Sequence, residues 1–489
     1  MKKWLKYLLI VLAILIIFII VLWIKMGFLG TPFNLQKPVP APQVSGKIKG
    51  YWSSEGPMTF DELNDASEMK AVGINTITFS PMLSHTQEGK VNEIASSESY
   101  IKKTINKAHQ NGFRVMLETT PMNAGKVSPK VTNPKLFQDE MTKMALKYAH
   151  IAEEYNVELF APIVEPGHHM DDEEADLWLQ EFLPQLRQVY KGKIMWKKQA
   201  TDLENSKEWK KDHIFTLGFN YQGNDIKIQL KQLLEHSLTL DIGSQRISFE
   251  EYSKQGKKFS ESKNLKLTNG WHELKIEIKG NLIIISIDNE KLFEKQDDSG
   301  PMGGYTLSGP VRINKLEIAD LTGKALYTEK FNNLNSFSAR NGIKLDGKEL
   351  VIDSRTEAKL IHDTNFSGYD YIAIDTFHRG KALTIDEYIK FLTYYIQKTN
   401  DQAKADGVPN VIIAEFGGSL KENIGWKDTD ERAKIPLSED ELAKTVEMVL
   451  ELAERTVDGY IYNGWNNEKQ GLNQLPKVKK VIKNWYNSH

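Results

Sequence analysis

Two hydrophobic rhythms run along this chain. Over residues 47–200, short apolar runs alternate with longer amphipathic ones. Runs at 48–52, 74–79, 113–117, 157–164 and 193–196 have strand length. Between them, helical periodicity predicts helices over about 59–72, 97–110, 133–155 and 173–190. Thr59-Phe60-Asp61-Glu62 reads as a helix start, and Gly73 and Asn111-Gly112 as helix stops. Strand and helix in strict alternation require parallel strands joined by right-handed crossovers.

The second rhythm occupies residues 202–359 and has period two. Leu274, Ile276 and Ile278 alternate with Lys275, Glu277 and Lys279, and Gly280-Asn281 then turns the chain into the run 282–287. That is a hairpin with one buried face. Residues 237–242, 246–249 and 311–318 read as further strands, and 225–235 as the one helix candidate of the region. An antiparallel β-sandwich inserted into the first domain fits this pattern.

The βα rhythm resumes with strands at 371–375, 411–414 and 459–463, and helices over about 384–405, 439–455 and 477–486. Eight strands and eight helix slots over about 280 residues match a (β/α)8 barrel. A doubly wound sheet would want a Gly-rich turn after its first strand. The turn is Trp52-Ser53-Ser54-Glu55-Gly56 instead. The expected fold is therefore α/β: a (β/α)8 TIM barrel interrupted by an antiparallel sandwich and preceded by a membrane helix. The corresponding segments are an anchor at 1–30, a linker at 31–46, barrel at 47–201, sandwich at 202–360 and barrel again at 361–489.

The anchor rests on 18 uncharged residues between Lys6 and Lys25. That is enough to cross a bilayer and longer than the core of a cleaved signal. Lys2, Lys3 and Lys6 precede it, and Gly27-Phe28-Leu29-Gly30 is a poor cleavage site. The expectation is a single-pass cell-membrane protein with a cytoplasmic N-terminus and the remainder extracellular. Pro32, Pro38, Pro40 and Pro42 make the next segment a semi-extended spacer. A net charge of -2 gives no long-range attraction to nucleic acid. The absence of cysteine excludes disulfides, thiol nucleophiles and thiolate metal sites.

Two of the predicted strands end alike. Val411-Ile412-Ile413-Ala414 runs into Glu415 and breaks after Phe416 at Gly417-Gly418. Leu159-Phe160-Ala161-Pro162-Ile163-Val164 runs into Glu165 and breaks at Pro166-Gly167. A carboxylate at the end of a buried strand is costly unless it is paired or used. Two of them brought together are what glycoside hydrolysis requires.

Val164-Glu165-Pro166 and Ala414-Glu415-Phe416-Gly417 resemble the Asn-Glu-Pro and Glu-Phe-Gly motifs of the retaining (β/α)8 glycoside hydrolases. The resemblance covers residues 47–200 and 371–489. It implies Glu165 as acid/base, Glu415 as nucleophile, a β-linked poly- or oligosaccharide substrate and no cofactor. The Asn that usually precedes the acid/base is Val164 in this chain.

Other strand ends supply a candidate sugar-binding shell: Trp52, Glu118, Lys197, Asp375, His378, Asn463 and Trp465, with His168 beside Glu165. Exposed Trp faces would stack on pyranose rings; core packing is the alternative use of a Trp. His168-His169 with Asp171 and Asp172 has metal-ligand chemistry. Acidic residues opening a helix explain the pattern without a metal, and none is expected. Trp271-His272-Glu273-Leu274-Lys275-Ile276-Glu277-Ile278, the run 282–287 and Phe331-Asn332-Asn333-Leu334 resemble laminin-G/concanavalin-like sandwiches, which implies carbohydrate binding. The alternatives to a hydrolase are a carbohydrate-binding surface protein without catalysis, and a barrel serving only as scaffold.

Overall fold

The computed structural model describes residues 37–489 except 95, 123–129, 202–211, 234–235, 254–255, 297–303, 333, 335, 339–341, 354–355, 362–363, 379, 419, 421–434 and 467–470. The expected anchor and residues 31–36 of the linker lie outside the described residues. Among the described residues, no helix is long and apolar enough to cross a membrane. The chain divides into two compact units, one running to Ala200 and resuming at Asn365–His489, the other being Thr201–Thr364.

The first unit is a closed barrel of eight parallel strands. In chain order these are β1 (Ile48–Glu55), β2 (Thr76–Ser80), β3 (Arg114–Glu118), β4 (Leu159–Ala161), β5 (Lys193–Gln199), β6 (Tyr371–His378), β7 (Asn410–Gly418) and β8 (Gly459–Asn463). Each pairs with its sequence neighbour, and β1 pairs with β8 to close the ring. Ile48, Met116, Leu159, Ala161, Met195, Ala373, Ile412, Ala414 and Ile461 pack together as the barrel's interior. Every strand contributes to this set except β2.

Helices Ser97–Gln110, Pro134–Glu154, Asp172–Val189, Ile385–Asp406, Glu439–Thr456 and Pro476–Ser488 fill the intervening slots. Thr384 with Glu387 and Ser438 with Glu441 form capping boxes that fix two of their starts. Each such cap is worth about 1 kcal/mol. The single helix expected over 59–72 is instead Gly56–Glu62, a 3-10 turn at Leu63–Asp65, and Ala66–Val72. Asp65 leaves helical geometry at the break. Its carboxylate accepts bonds from the Trp465 indole and the Asn473 amide, so a tertiary contact overrides local propensity.

β4 is shorter than the run 157–164 because Pro162 has no N–H for the ladder. Pairing resumes at an isolated bridge between Val164 and Lys197. The described part of the linker is not a free spacer. Its backbone bonds the side chains of Asn106, His109 and Arg114. Pro residues give up N–H groups, but the carbonyls of Lys37, Val39 and Val44 remain acceptors for those side chains.

The second unit holds a seven-stranded and an eight-stranded antiparallel sheet. Ile228, Leu240 and Phe249 of the first join Phe215, Ile276, Ile285 and Ile313 of the second in one apolar core. The helix candidate at 225–235 is a strand, Ile226–Leu233, paired with His236–Ile242. Ile226, Ile228 and Leu230 are buried at every second position, and sheet pairing selects that period over the helical one.

Candidate active site

Strand alternation decides which side chains reach the barrel interior. Side chains two apart share a face, so inward Met116 puts Glu118 inward, Met195 puts Lys197 inward, Ala373 puts Asp375 inward, and Ile461 puts Asn463 inward. All four polar residues are buried at the C-terminal ends of their strands, the end where barrels of this kind place their chemistry.

Glu415 has the wrong parity, since Ile412 and Ala414 already face inward. The ladder between β6 and β7 steps from Ile374–Ile413 to Asp375–Glu415, leaving Ala414 as the extra residue of a β-bulge. A bulge redirects the side chain that follows it. Glu415 consequently turns into the barrel, directly across from Asp375.

Lys197 is the hub of the site. Its fully buried ammonium lies 2.5 Å from Glu415 Oε1, 2.8 Å from Glu118 Oε1 and 3.6 Å from Asp375 Oδ2. Glu118 Oε2 accepts the Trp52 indole N–H at 3.0 Å, and Glu415 Oε2 accepts the Asn463 amide at 2.7 Å. Burial alone would lower the Lys197 ammonium, but Asp375, Glu118 and Glu415 hold it well above the usual lysine range.

Burial pushes the Glu415 carboxyl up to about 7; Lys197 opposes that rise, while the charges of Glu118 and Glu165 reinforce it. Burial likewise raises Asp375 well above the carboxylate range, with Lys197 opposing and Glu415, Glu165 and Glu118 adding. Neither Asp375 oxygen has a hydrogen-bond partner among the described residues. The arrangement is a buried cation beside one hydrogen-bonded carboxylate, Glu118, and one poised carboxyl, Glu415. Asp375 completes it as a second carboxyl that burial pushes upward.

Glu165 follows β4 in a left-handed backbone conformation, φ 46° and ψ 56°. That geometry costs a non-glycine residue on the order of 1–3 kcal/mol and is concentrated at functional sites. Its N–H donates to the Lys197 carbonyl at 3.1 Å, which ties it to the hub strand. His168 Nδ1 lies 3.1 Å from Glu165 Oε2, and Gln199 Nε2 lies 3.2 Å from His168 Nε2. With the Gln199 amide donating, the His168 proton sits on Nδ1 and is donated to Glu165. Gln199 escaped the sequence reading; its signal was the spacing of two from Lys197 on the same strand.

Trp52, Glu118, Lys197, Asp375, Glu415 and Asn463 thus form one connected cluster, with Glu165 and His168 beside it. Two expected residues lie elsewhere. His378 has the parity of Ile372 and Ile374, so it faces the helices. Its ring nitrogens meet Thr445 Oγ1 and the Leu383 carbonyl, and it stacks on Tyr388.

Trp465 follows Gly464, whose φ of 98° ends the strand alternation. Its indole N–H donates to Asp65, its ring is fully buried beside Tyr51, and Lys479 covers it. It offers no open face for a sugar. His169 is buried against His85, and burial with the neighbouring His85 and His168 charges depresses it to about 3. Among the described residues, no group of three or more His, Asp or Glu is arranged to hold a metal ion.

No family model matches the chain, and no curated protein does. Among solved structures, it is similar to a GH113 beta-1,4-mannanase, with 11% identity, a TM-score of 0.45, and 91% of this chain and 100% of that chain covered. It is also similar to the GH113 beta-mannanase from Alicyclobacillus acidocaldarius in complex with ManMIm, at 13% identity and a TM-score of 0.45, with 91% and 98% covered. A galectin from Caenorhabditis elegans, LEC-6, is similar over 23% of this chain and 90% of its own, at 11% identity and a TM-score of 0.21. At these identities and TM-scores the likeness carries no argument, and the barrel stands on its own strand pairing.

Proposed function

We propose that the barrel is a retaining glycoside hydrolase acting on a β-linked poly- or oligosaccharide outside the cytoplasm. The supporting observation is that Glu165, at the end of β4, donates its N–H to the Lys197 carbonyl, while the Lys197 ammonium lies 2.5 Å from Glu415 Oε1 on β7. Both belong to the rim that Lys197 organises. In this reading Lys197 and Asn463 hold one Glu415 oxygen each and keep the carboxylate charged and aimed. Glu415 attacks the anomeric carbon as Glu165 protonates the departing glycosidic oxygen, giving a glycosyl ester. Glu165, now charged, takes a proton from the water that cleaves the ester. Asp375, whose oxygens have no hydrogen-bond partner among the described residues, bonds a substrate hydroxyl. The apolar run before Lys25 supports an anchored protein on sequence alone.

The test is turnover of a panel of aryl β-glycosides and β-linked polysaccharides, followed by nuclear magnetic resonance of the first-formed anomer. A retained anomer is expected, and an inverted one removes the nucleophile role of Glu415. Glu415→Ala with azide is expected to yield the α-glycosyl azide, and Glu165→Ala the β-azide. A second reading, a carbohydrate-binding barrel without turnover, draws support from Val164 standing where the hydrolases carry Asn. Glycan binding by a parent protein that hydrolyses none of the panel would select it.

A further inference from the structure

The outward face of the sandwich's eight-stranded sheet carries a second arrangement, separate from the barrel chemistry. Along the strand Gly270–Lys279, Leu274, Ile276 and Ile278 enter the core, which leaves Trp271 and Glu273 on the other face. The neighbouring strand is His213–Tyr221, where Gly218 lies opposite Glu273 on one side and opposite Lys315 of Val311–Ala319 on the other. With no side chain on Gly218, Lys315 Nζ reaches across it to Glu273 Oε2 at 2.9 Å.

The ladder then slips. Ile313 pairs with Phe219 and Lys315 with Gly218, so Asn314 is the extra residue of a bulge. Its amide occupies the space above the glycine: a Cβ on Gly218 would stand 2.4 Å from Asn314 Oδ1. Trp271 is 42% exposed. Beside it, His272 is fixed between Asp288 and the Thr268 carbonyl. Together these residues line a depression of about 550 Å³, a size suited to a small ligand.

Three features converge on the ligand's chemistry. An indole exposed at the edge of a polar depression is an apolar plane awaiting cover. The groups around it include donors and acceptors: the Asn314 amide, the Lys315 ammonium and the Glu273 carboxylate. The Lys315 ammonium is paired with Glu273 and His272 is bonded to Asp288, so the depression presents no unpaired cation to draw a phosphate or an acidic chain. A ring with an apolar C–H face and a rim of uncharged hydroxyls satisfies all three. We propose that this depression binds a neutral saccharide, its ring stacked on Trp271 and its hydroxyls on Asn314, Glu273 and Lys315. The bulge at Asn314 and the glycine beneath it are the devices that shape the site.

The proposal does not depend on the barrel being an enzyme. The experiment titrates the full chain carrying Glu415→Gln, which spares the probes, with neutral hexaoses of β-1,4-mannose, β-1,4-glucose, β-1,3-glucose and α-1,4-glucose. Heat of binding to at least one is expected. Adding Trp271→Ala should weaken that binding roughly tenfold or more, Asn314→Ala should weaken it less, and Trp271→Phe should largely restore it. Both positions are exposed, so an unchanged melting temperature verifies each fold. A barrel site would appear as binding that these variants leave untouched. If no hexaose loses affinity in either Trp271→Ala or Asn314→Ala, the proposal is overturned. Turnover of aryl glycosides by Trp271→Ala in the otherwise parental chain reads the barrel separately and should match the parent.

Discussion

The two units bury opposite kinds of interior. The sandwich closes over Phe215, Ile228, Leu240, Ile276, Ile285 and Ile313, an apolar core that needs nothing but volume and alternation. The barrel has an apolar floor of the same kind, but at the C-terminal strand ends it buries Glu118, Lys197, Asp375, Glu415 and Asn463. Desolvating such charges costs several kcal/mol per ion, and replacing them with apolar groups of like size is often neutral or stabilising. A chain that packs a sandwich this cleanly has no structural need for the polar cluster in its barrel. Under the proposed function the cluster's justification lies in chemistry.

Glu415→Gln should show the largest contrast. It keeps the volume yet removes the nucleophile, so turnover should fall by about 10³-fold or more. With one acceptor oxygen in place of two it gives up either the Lys197 or the Asn463 bond, so the melting temperature should fall by a few degrees. Full activity in that variant sinks the hydrolase reading. Lys197→Met comes next. It leaves Glu118, Glu415 and Asp375 facing one another without a cation, at a cost of about 3–5 kcal/mol for a broken buried pair. It should also move the Glu415 carboxyl further upward, because the ammonium is the group that opposes its rise. Denaturant unfolding and a pH-rate profile check both parts. In the sandwich, Ile276→Ala should cost about 3 kcal/mol through lost burial and a cavity. It should leave the pH-rate profile in place, which a calorimetric scan and the same profile together can verify.

The pattern of burial also marks how far the sequence could be read. Period and spacing were enough for the barrel, because short apolar runs alternate with longer amphipathic ones. Glu415 and Glu165 stand out as charges at the ends of such runs, and Lys197 as the residue that follows the fifth run. Three things were out of reach. The bulge at Ala414 is a property of pairing between two strands, so no local signal announces that Glu415 changes face. The strand Ile226–Leu233 carries Ile226, Ile228 and Leu230 at a spacing that a helix face partly accepts, and only its partner His236–Ile242 decides between them. Trp465 looked exposed among Gly and Asn, yet Asp65, some 400 positions earlier, captures its indole N–H.

The pH dependence sharpens the contrast further, and its sign follows from the buried carboxyls. Glu415 has its folded value raised to about 7, above its ordinary carboxylate value of 4.5. Between those two values the folded state binds more protons than the unfolded one, so stability should fall as pH rises from about 4.5 to about 7, by up to about 3 kcal/mol. Asp375 is raised too and acts in the same direction. Lys197 is raised as well, and its contribution is lost only as pH rises from the ordinary lysine value of 10.5 towards its own folded value, so it leaves this window unaltered. Activity should run the other way, because the nucleophile must be charged: kcat/KM should climb through an acid limb near 7. Urea unfolding at pH 5 and pH 7.5, with the rate profile, checks both signs, and a Glu415→Gln chain should lose its share of the stability slope.

The smallest effect is expected at His378, and it isolates the rule that separates the barrel's two faces. His378 and Asp375 lie on the same strand three residues apart, so they face opposite sides. Asp375 meets Lys197, whereas His378 bonds Thr445 of the helix Glu439–Thr456 and stacks on Tyr388 of the helix Ile385–Asp406. His378→Gln retains polar contact with that layer and touches nothing in the cluster, so kcat/KM should stay within about threefold of the parent and the acid limb should not move. Stability should drop by roughly 1 kcal/mol as the ring stacking and one hydrogen bond are lost. A shifted acid limb in this variant would mean that His378 acts through the barrel wall, and that strand parity does not divide the catalytic face from the packing face.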